Sequence, residues 1–124
     1  MGFSILLEER EKRKERRRSM ALQEAKRLSH LLAQRFPYER LYLFGSALRG
    51  GGFSGHPDID LVIKGLDGDL FLKVYAFLIK ESDFSIDLKP WELLDGQIRG
   101  KVEREGLVLY EKGQVDRFGD RLGD

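Results

Sequence analysis

At 124 residues the chain can bury one hydrophobic core and has little room for a second, so we expect a single domain. The absence of cysteine excludes a disulfide framework and a thiolate metal site, and it points to a reducing compartment. Charged residues reach 35%, above the usual quarter, but the excess sits in Glu8 to Arg18, which is net +3 and leaves the rest net −2, so no basic nucleic-acid surface covers the domain.

No Gly or Pro falls between Phe3 and Phe36, and strong helix formers fill the interval, which predicts one long helix or two abutting ones from about Ser4 to Phe36. Glu8 to Arg18 is charged on every side. The second half sets Met20, Leu22, Ala25, Leu28, Leu31, Leu32 and Phe36 at three- and four-residue steps, an apolar stripe able to dock on a core. Pro37 stops the helix, because the residue before a proline is pushed out of the α region. No apolar run approaches the roughly 20 residues that span a bilayer, and Phe3 to Leu7 is too short and wrongly flanked for a signal peptide. A soluble, cytoplasmic protein is the expectation.

Leu41 to Phe44 reads as a short buried strand, and Gly45 to Gly55 as a glycine-rich loop carrying one helical turn from Ser46 through Arg49. Asp58 to Ile63 is a second strand, closed by Gly65 and Asp67-Gly68. Asp69 is expected to cap a helix whose apolar face comprises Leu70, Phe71, Val74, Tyr75, Phe77 and Leu78. Phe84 to Lys89 alternates apolar and polar residues, the mark of a third strand with one buried face. Pro90 is expected to open a helix through about Glu105, with Trp91, Leu94, Ile98 and Val102 inward and Gly106 as its cap, although Gly96 and Gly100 each weaken it by about 1 kcal/mol. Leu107 to Tyr110 makes a last strand. The fold class is therefore α/β (α+β): a small mixed sheet of about four strands flanked by helices, with a long charged N-terminal helix. Residues 1–19 form the extension, 20–111 the domain and 112–124 a flexible tail.

Within a strand, Asp58 and Asp60 project from one face with α-carbons about 6.6 Å apart, while Ile59 and Leu61 enter the core. Two carboxylates so placed can share a divalent ion. In the third strand the buried set Phe84, Ile86 and Leu88 turns Asp87 the other way, so three acids converge if the two strands are neighbours. Oxygen ligands with no nearby His or Cys favour Mg²⁺, with Mn²⁺ as the alternative, and paired metals of this kind serve phosphoryl or nucleotidyl transfer. Gly45 lets backbone approach a phosphate, free N–H groups at the Ser46 helix start bind anions, and Arg49 can clamp a phosphate oxygen. Each signal also has a plainer reading: Asp-x-Asp is common on solvated strand faces, and most glycine-rich loops are only turns. Their order in the chain favours the functional reading of the set.

Phe44-Gly45-Ser46, eleven residues, Asp58-Ile59-Asp60-Leu61, and then Ile86-Asp87-Leu88 together resemble the minimal nucleotidyltransferases of the polymerase-beta superfamily, over roughly Leu22 to Tyr110. The resemblance implies that Gly45 and Ser46 hold a nucleoside triphosphate, ATP above all, with Arg49-Gly50 matching a frequent arginine-glycine pair. It implies that Asp58 and Asp60 bind two Mg²⁺, with Asp87 as third acid activating the attacking hydroxyl. Pro57 departs from the Ser often found there. The segment has no room for the acceptor-binding domain of larger relatives, so a partner must bring the acceptor. The resemblance implies a HEPN-domain protein as that partner, in a toxin–antitoxin pair where this chain transfers AMP. Two rival readings are an antitoxin that only occludes its partner, and transfer to a small hydroxyl compound such as an aminoglycoside.

Of the remaining residues, His30 reads as a packing or surface histidine and His56 as a solvated loop residue. Trp91 reads as a core anchor, and Tyr42, Tyr75 and Tyr110 as packing residues. The mixed signs of Glu8 to Arg18 disfavour nucleic acid and point to a helix standing in solvent that docks a partner or a second copy of the chain.

Overall fold

The computed structural model describes residues 2–45 and 58–113. Helix α1 (Gly2–Arg35) is continuous over 34 residues. Ala21, Ala25, Leu28 and Leu32 are fully buried, and their three- and four-residue spacing brings them onto one line of the helix. Met20, expected in that stripe, is 58% exposed: it stands about 100° around the helix from Ala21, which takes the inward place. Residues 5–16 are all exposed, so only the second half of α1 belongs to the core. The helix ends two residues before Pro37, where Phe36 N–H donates to the Leu32 carbonyl at 3.0 Å.

Among the described residues the four strands are β1 (Arg40–Phe44), β2 (Asp58–Lys64), β3 (Ser85–Pro90) and β4 (Leu107–Glu111), in the order β3-β2-β1-β4. β1 is antiparallel to both β2 and β4, whereas β2 and β3 are parallel. A parallel pair needs a crossover, and α2 (Phe71–Glu81) supplies it. Before α2 runs a single 3₁₀ turn, Gly68–Leu70. Its cap is Asp67 and not Asp69: the Asp67 carboxylate accepts from the Asp69 N–H at 3.0 Å.

Pro90 does not open the last helix. It is the final residue of β3, paired with Ile63, and an edge strand tolerates its missing N–H. A 3₁₀ turn at Trp91–Leu93 follows, and α3 (Gly96–Glu105) starts where the Asp95 side chain accepts from the Ile98 N–H at 2.8 Å. Gly106 stands at its C-cap with an ordinary φ of −78°. A side chain there would sit 2.5 Å from the Val102 carbonyl oxygen, which is a steric reason for glycine. Among the described residues no helix is long and apolar enough to cross a membrane.

The sheet has two unlike faces. Leu41, Leu43, Ile59, Leu61, Ile63 and Leu88 form a core with Leu28 and Leu32 of α1 and Val74 and Leu78 of α2. On the other face Tyr42 and Val62 pack with Trp91 and with Val102 of α3, the Tyr42 and Trp91 rings stacked at 5.5 Å. The end of β1 and the starts of β2 and β3 lie together at one end of the sheet. Arg27 and Glu24 of α1 reach that same end, Arg27 donating to the Glu81 carbonyl at 2.8 Å and Glu24 accepting from the Ser82 hydroxyl at 2.5 Å. The exposed half of α1 therefore runs on past that end by about 1.5 Å per residue.

Candidate functional site

Register brings the acids together. Asp60 is the direct partner of Phe44 on one side and of Asp87 on the other, so the acids of β2 and β3 stand side by side on the α3 face. Parallel neighbours are about 4.8 Å apart, within the span of one shared cation. Asp58 pairs with Ser85 two residues nearer the strand start. Leu88, 3% exposed in the core, holds β3 in place and turns its neighbour Asp87 outward. From the core side, the Tyr75 hydroxyl donates to the Ile86 carbonyl at 3.2 Å and braces the same strand.

Gly45 completes one wall. Its φ of +89° is a conformation that side chains strain against, and a Cβ there would overlap the Asp60 carboxylate. Glycine thus lets the end of β1 close against the acid. Beside them a cavity of about 240 Å³ is lined by Phe44, Gly45, Asp60 and Lys89 together with Val62 and Ile98.

Lys89 is the member that the sequence reading passed over. It follows Asp87 by two residues on the same strand face, and its ammonium donates to the Asp87 carboxylate. That hydrogen bond is the main cause of an upward shift in the Lys89 pKa; burial opposes it, and the charges of Asp87 and Asp60 reinforce it. The alternation that located Asp87 also marked Lys89, but a lysine at a strand end reads as a solvated tip. Ile98, expected inward, is 44% exposed, because the Asp95 cap starts α3 over the cavity and only Val102 reaches full burial.

Ser46, Arg49 and His56 lie outside the described residues, as does the carboxylate of Asp58 and the tail beyond Gly113. Among the described residues no three His, Cys, Asp or Glu side chains form a metal-sized cluster. The donor chemistry at Asp60 and Asp87 nevertheless fits Mg²⁺: two hard oxygen ligands in register, with His30 far along the chain on α1.

No protein-family model matches the sequence, and no curated protein matches it. Solved structures do. A toxin–antitoxin structure with AMP-PNP is 25% identical, with a TM-score of 0.58, over 77% of this chain and 78% of that one. A Shewanella oneidensis complex of a tri-AMPylated HEPN toxin with its MNT antitoxin is 22% identical, with a TM-score of 0.56, over 79% and 78%. A Sulfolobus solfataricus protein proposed to be a nucleotidyltransferase is 21% identical, with a TM-score of 0.54, over 81% and 88%. Among the described residues, three helices around a four-stranded mixed sheet make the fold of the minimal nucleotidyltransferases.

Proposed function

We propose that this chain is a Mg²⁺-dependent nucleotidyltransferase that moves AMP from ATP to a hydroxyl of a HEPN-domain partner, as the antitoxin of a toxin–antitoxin pair. The observation that carries the reading is the register of Asp60 with Asp87 beside Gly45. It is supported by likeness to a toxin–antitoxin structure with AMP-PNP and to one whose HEPN toxin is AMPylated.

Gly45, Ser46 and Arg49 would bind the triphosphate, while Asp58, Asp60 and Asp87 would hold two Mg²⁺. The metal, when bound, supplies charge neutralisation at the α-phosphate and at the departing pyrophosphate. Asp87 accepts the proton of the attacking hydroxyl. The hydroxyl oxygen forms a bond to the α-phosphorus, the bond from that phosphorus to the β-bridging oxygen breaks, and pyrophosphate leaves. Asp60 and Asp87 sit at strand starts braced from the core side, so both groups are held before substrate arrives.

The test is incubation of the chain with labelled ATP, Mg²⁺ and the protein encoded beside it, read by label transfer and intact mass. Transfer to the partner that disappears when Asp58→Asn and Asp60→Asn are combined is the expected result; absence of transfer by the wild-type chain would overturn the reading. A second reading, neutralisation by binding alone, is favoured by the fact that two of the similar structures are toxin–antitoxin structures. Under it the same double variant still protects cells from the partner.

A further inference from the structure

Lys89 occupies the place where a cation belongs. Its ammonium is on Asp87, and Asp87 is in register with Asp60. Asp60 and Lys89 line the same cavity, and among the described residues the rest of its lining is mostly apolar, Val62, Leu94 and Ile98 included. The contact is also easy to give up: the two side chains are 55% and 43% exposed, and ion pairs so exposed to water contribute little to stability. A dication and an ammonium cannot share one carboxylate without mutual repulsion at a few ångströms.

We propose that Lys89 is a positioning residue that holds Asp87 beside Asp60 as a resident cation until a divalent metal displaces it, so that metal loading and release of this lysine are one event. The inference rests on the reading of Asp60 and Asp87 as metal ligands. It assigns Lys89 a task that neither packing nor solubility would give it. Its pairing with Asp87 offsets part of the repulsion between carboxylates on neighbouring strands, at the expense of metal affinity.

The experiment is Mn²⁺ titration of the full chain without nucleotide, following free Mn²⁺ by electron paramagnetic resonance, for wild type, Lys89→Met, Lys89→Arg and Lys64→Met. Lys64 lies four residues beyond Asp60 on the same face, over the Trp91 ring at 5.2 Å, and so reports the effect of net charge alone. Lys89→Met is expected to bind Mn²⁺ about five-fold more tightly. Lys89→Arg, which keeps the charge and pairs with carboxylates more firmly, should bind as wild type or more weakly, and Lys64→Met should stay within about two-fold of wild type. Equal affinity in wild type and Lys89→Met would overturn the inference while leaving the proposed function standing. An equal gain in Lys64→Met would overturn it too, reducing the effect to net charge. No Mn²⁺ binding by wild type or any variant would overturn both readings.

Discussion

The two faces of the sheet are made from the same strands, residue by residue in alternation, yet they obey different rules. Toward α1 and α2, Leu41, Leu43, Ile59, Leu61, Ile63 and Leu88 are at most 3% exposed. Toward α3, among the described residues, the half that holds Tyr42 and Val62 is covered, whereas Asp60 is half-buried and the Asp87 and Lys89 side chains are exposed. The first face specifies the fold, and the second carries the candidate site. Stability should therefore be nearly indifferent to the acids, while the acids depend entirely on the apolar residues between them.

The neighbours Asp60 and Leu61 break this comparison most sharply. Asp60→Asn is expected to lower AMP transfer to the partner by about 10²–10³-fold with little change in the urea midpoint. Leu61→Ala should instead cost about 3 kcal/mol of stability and leave the folded fraction active. If Asp60→Asn unfolds the chain as readily as Leu61→Ala, the division between faces is wrong. Gly45→Ala crosses the divide, because it strains a residue at φ +89° and drives a methyl group into the Asp60 carboxylate. It should cost about 1–2 kcal/mol and reduce transfer as well; an unchanged melting temperature would mean that the end of β1 relaxes freely.

The smallest expected effect lies off the sheet, at Glu24. Its side chain is 14% exposed and accepts from Arg27 at 2.7 Å as well as from Ser82. The Arg27 hydrogen bond is the main cause that holds its carboxyl below the ordinary 4.5, against a burial effect that raises it. A depressed folded-state pKa stabilises the fold above the unfolded value and ceases to do so as pH falls through the folded one. Glu24→Gln should thus cost about 1 kcal/mol at neutral pH, and the gap to wild type in thermal melts should close below about pH 4. A gap that stays constant from pH 7 to pH 3 would count against this origin.

Much of the molecule was legible in its sequence because period-two burial leaves little ambiguity. Phe84 to Lys89 announced both the strand and the outward turn of Asp87, and parallel pairing with β2 then set it against Asp60. What escaped was decided by neighbours and not by period. Ala21 is too small to stand out beside Met20 in a hydropathy pattern, yet it is the residue that faces inward. Asp67 and Asp69 are equally good caps in the abstract, and the 3₁₀ turn chose the first. Pro90 looks like a helix start until an edge strand is there to receive it. Lys89 is invisible as a site residue until its ammonium is seen on Asp87.

Parallel register between β2 and β3 also governs how this site can fail. A slip of one residue would not loosen the acid pair by degrees; it would bring Ile59 or Leu61 to the solvent side and bury a carboxylate among leucines. Such a state is penalised twice, by the exposed apolar side chains and by the buried charge. Misassembled molecules are therefore discarded by the core and do not accumulate with a half-formed acid pair. The placement of the candidate site is in this sense inherited from Ile59, Leu61 and Leu88, three residues of the core.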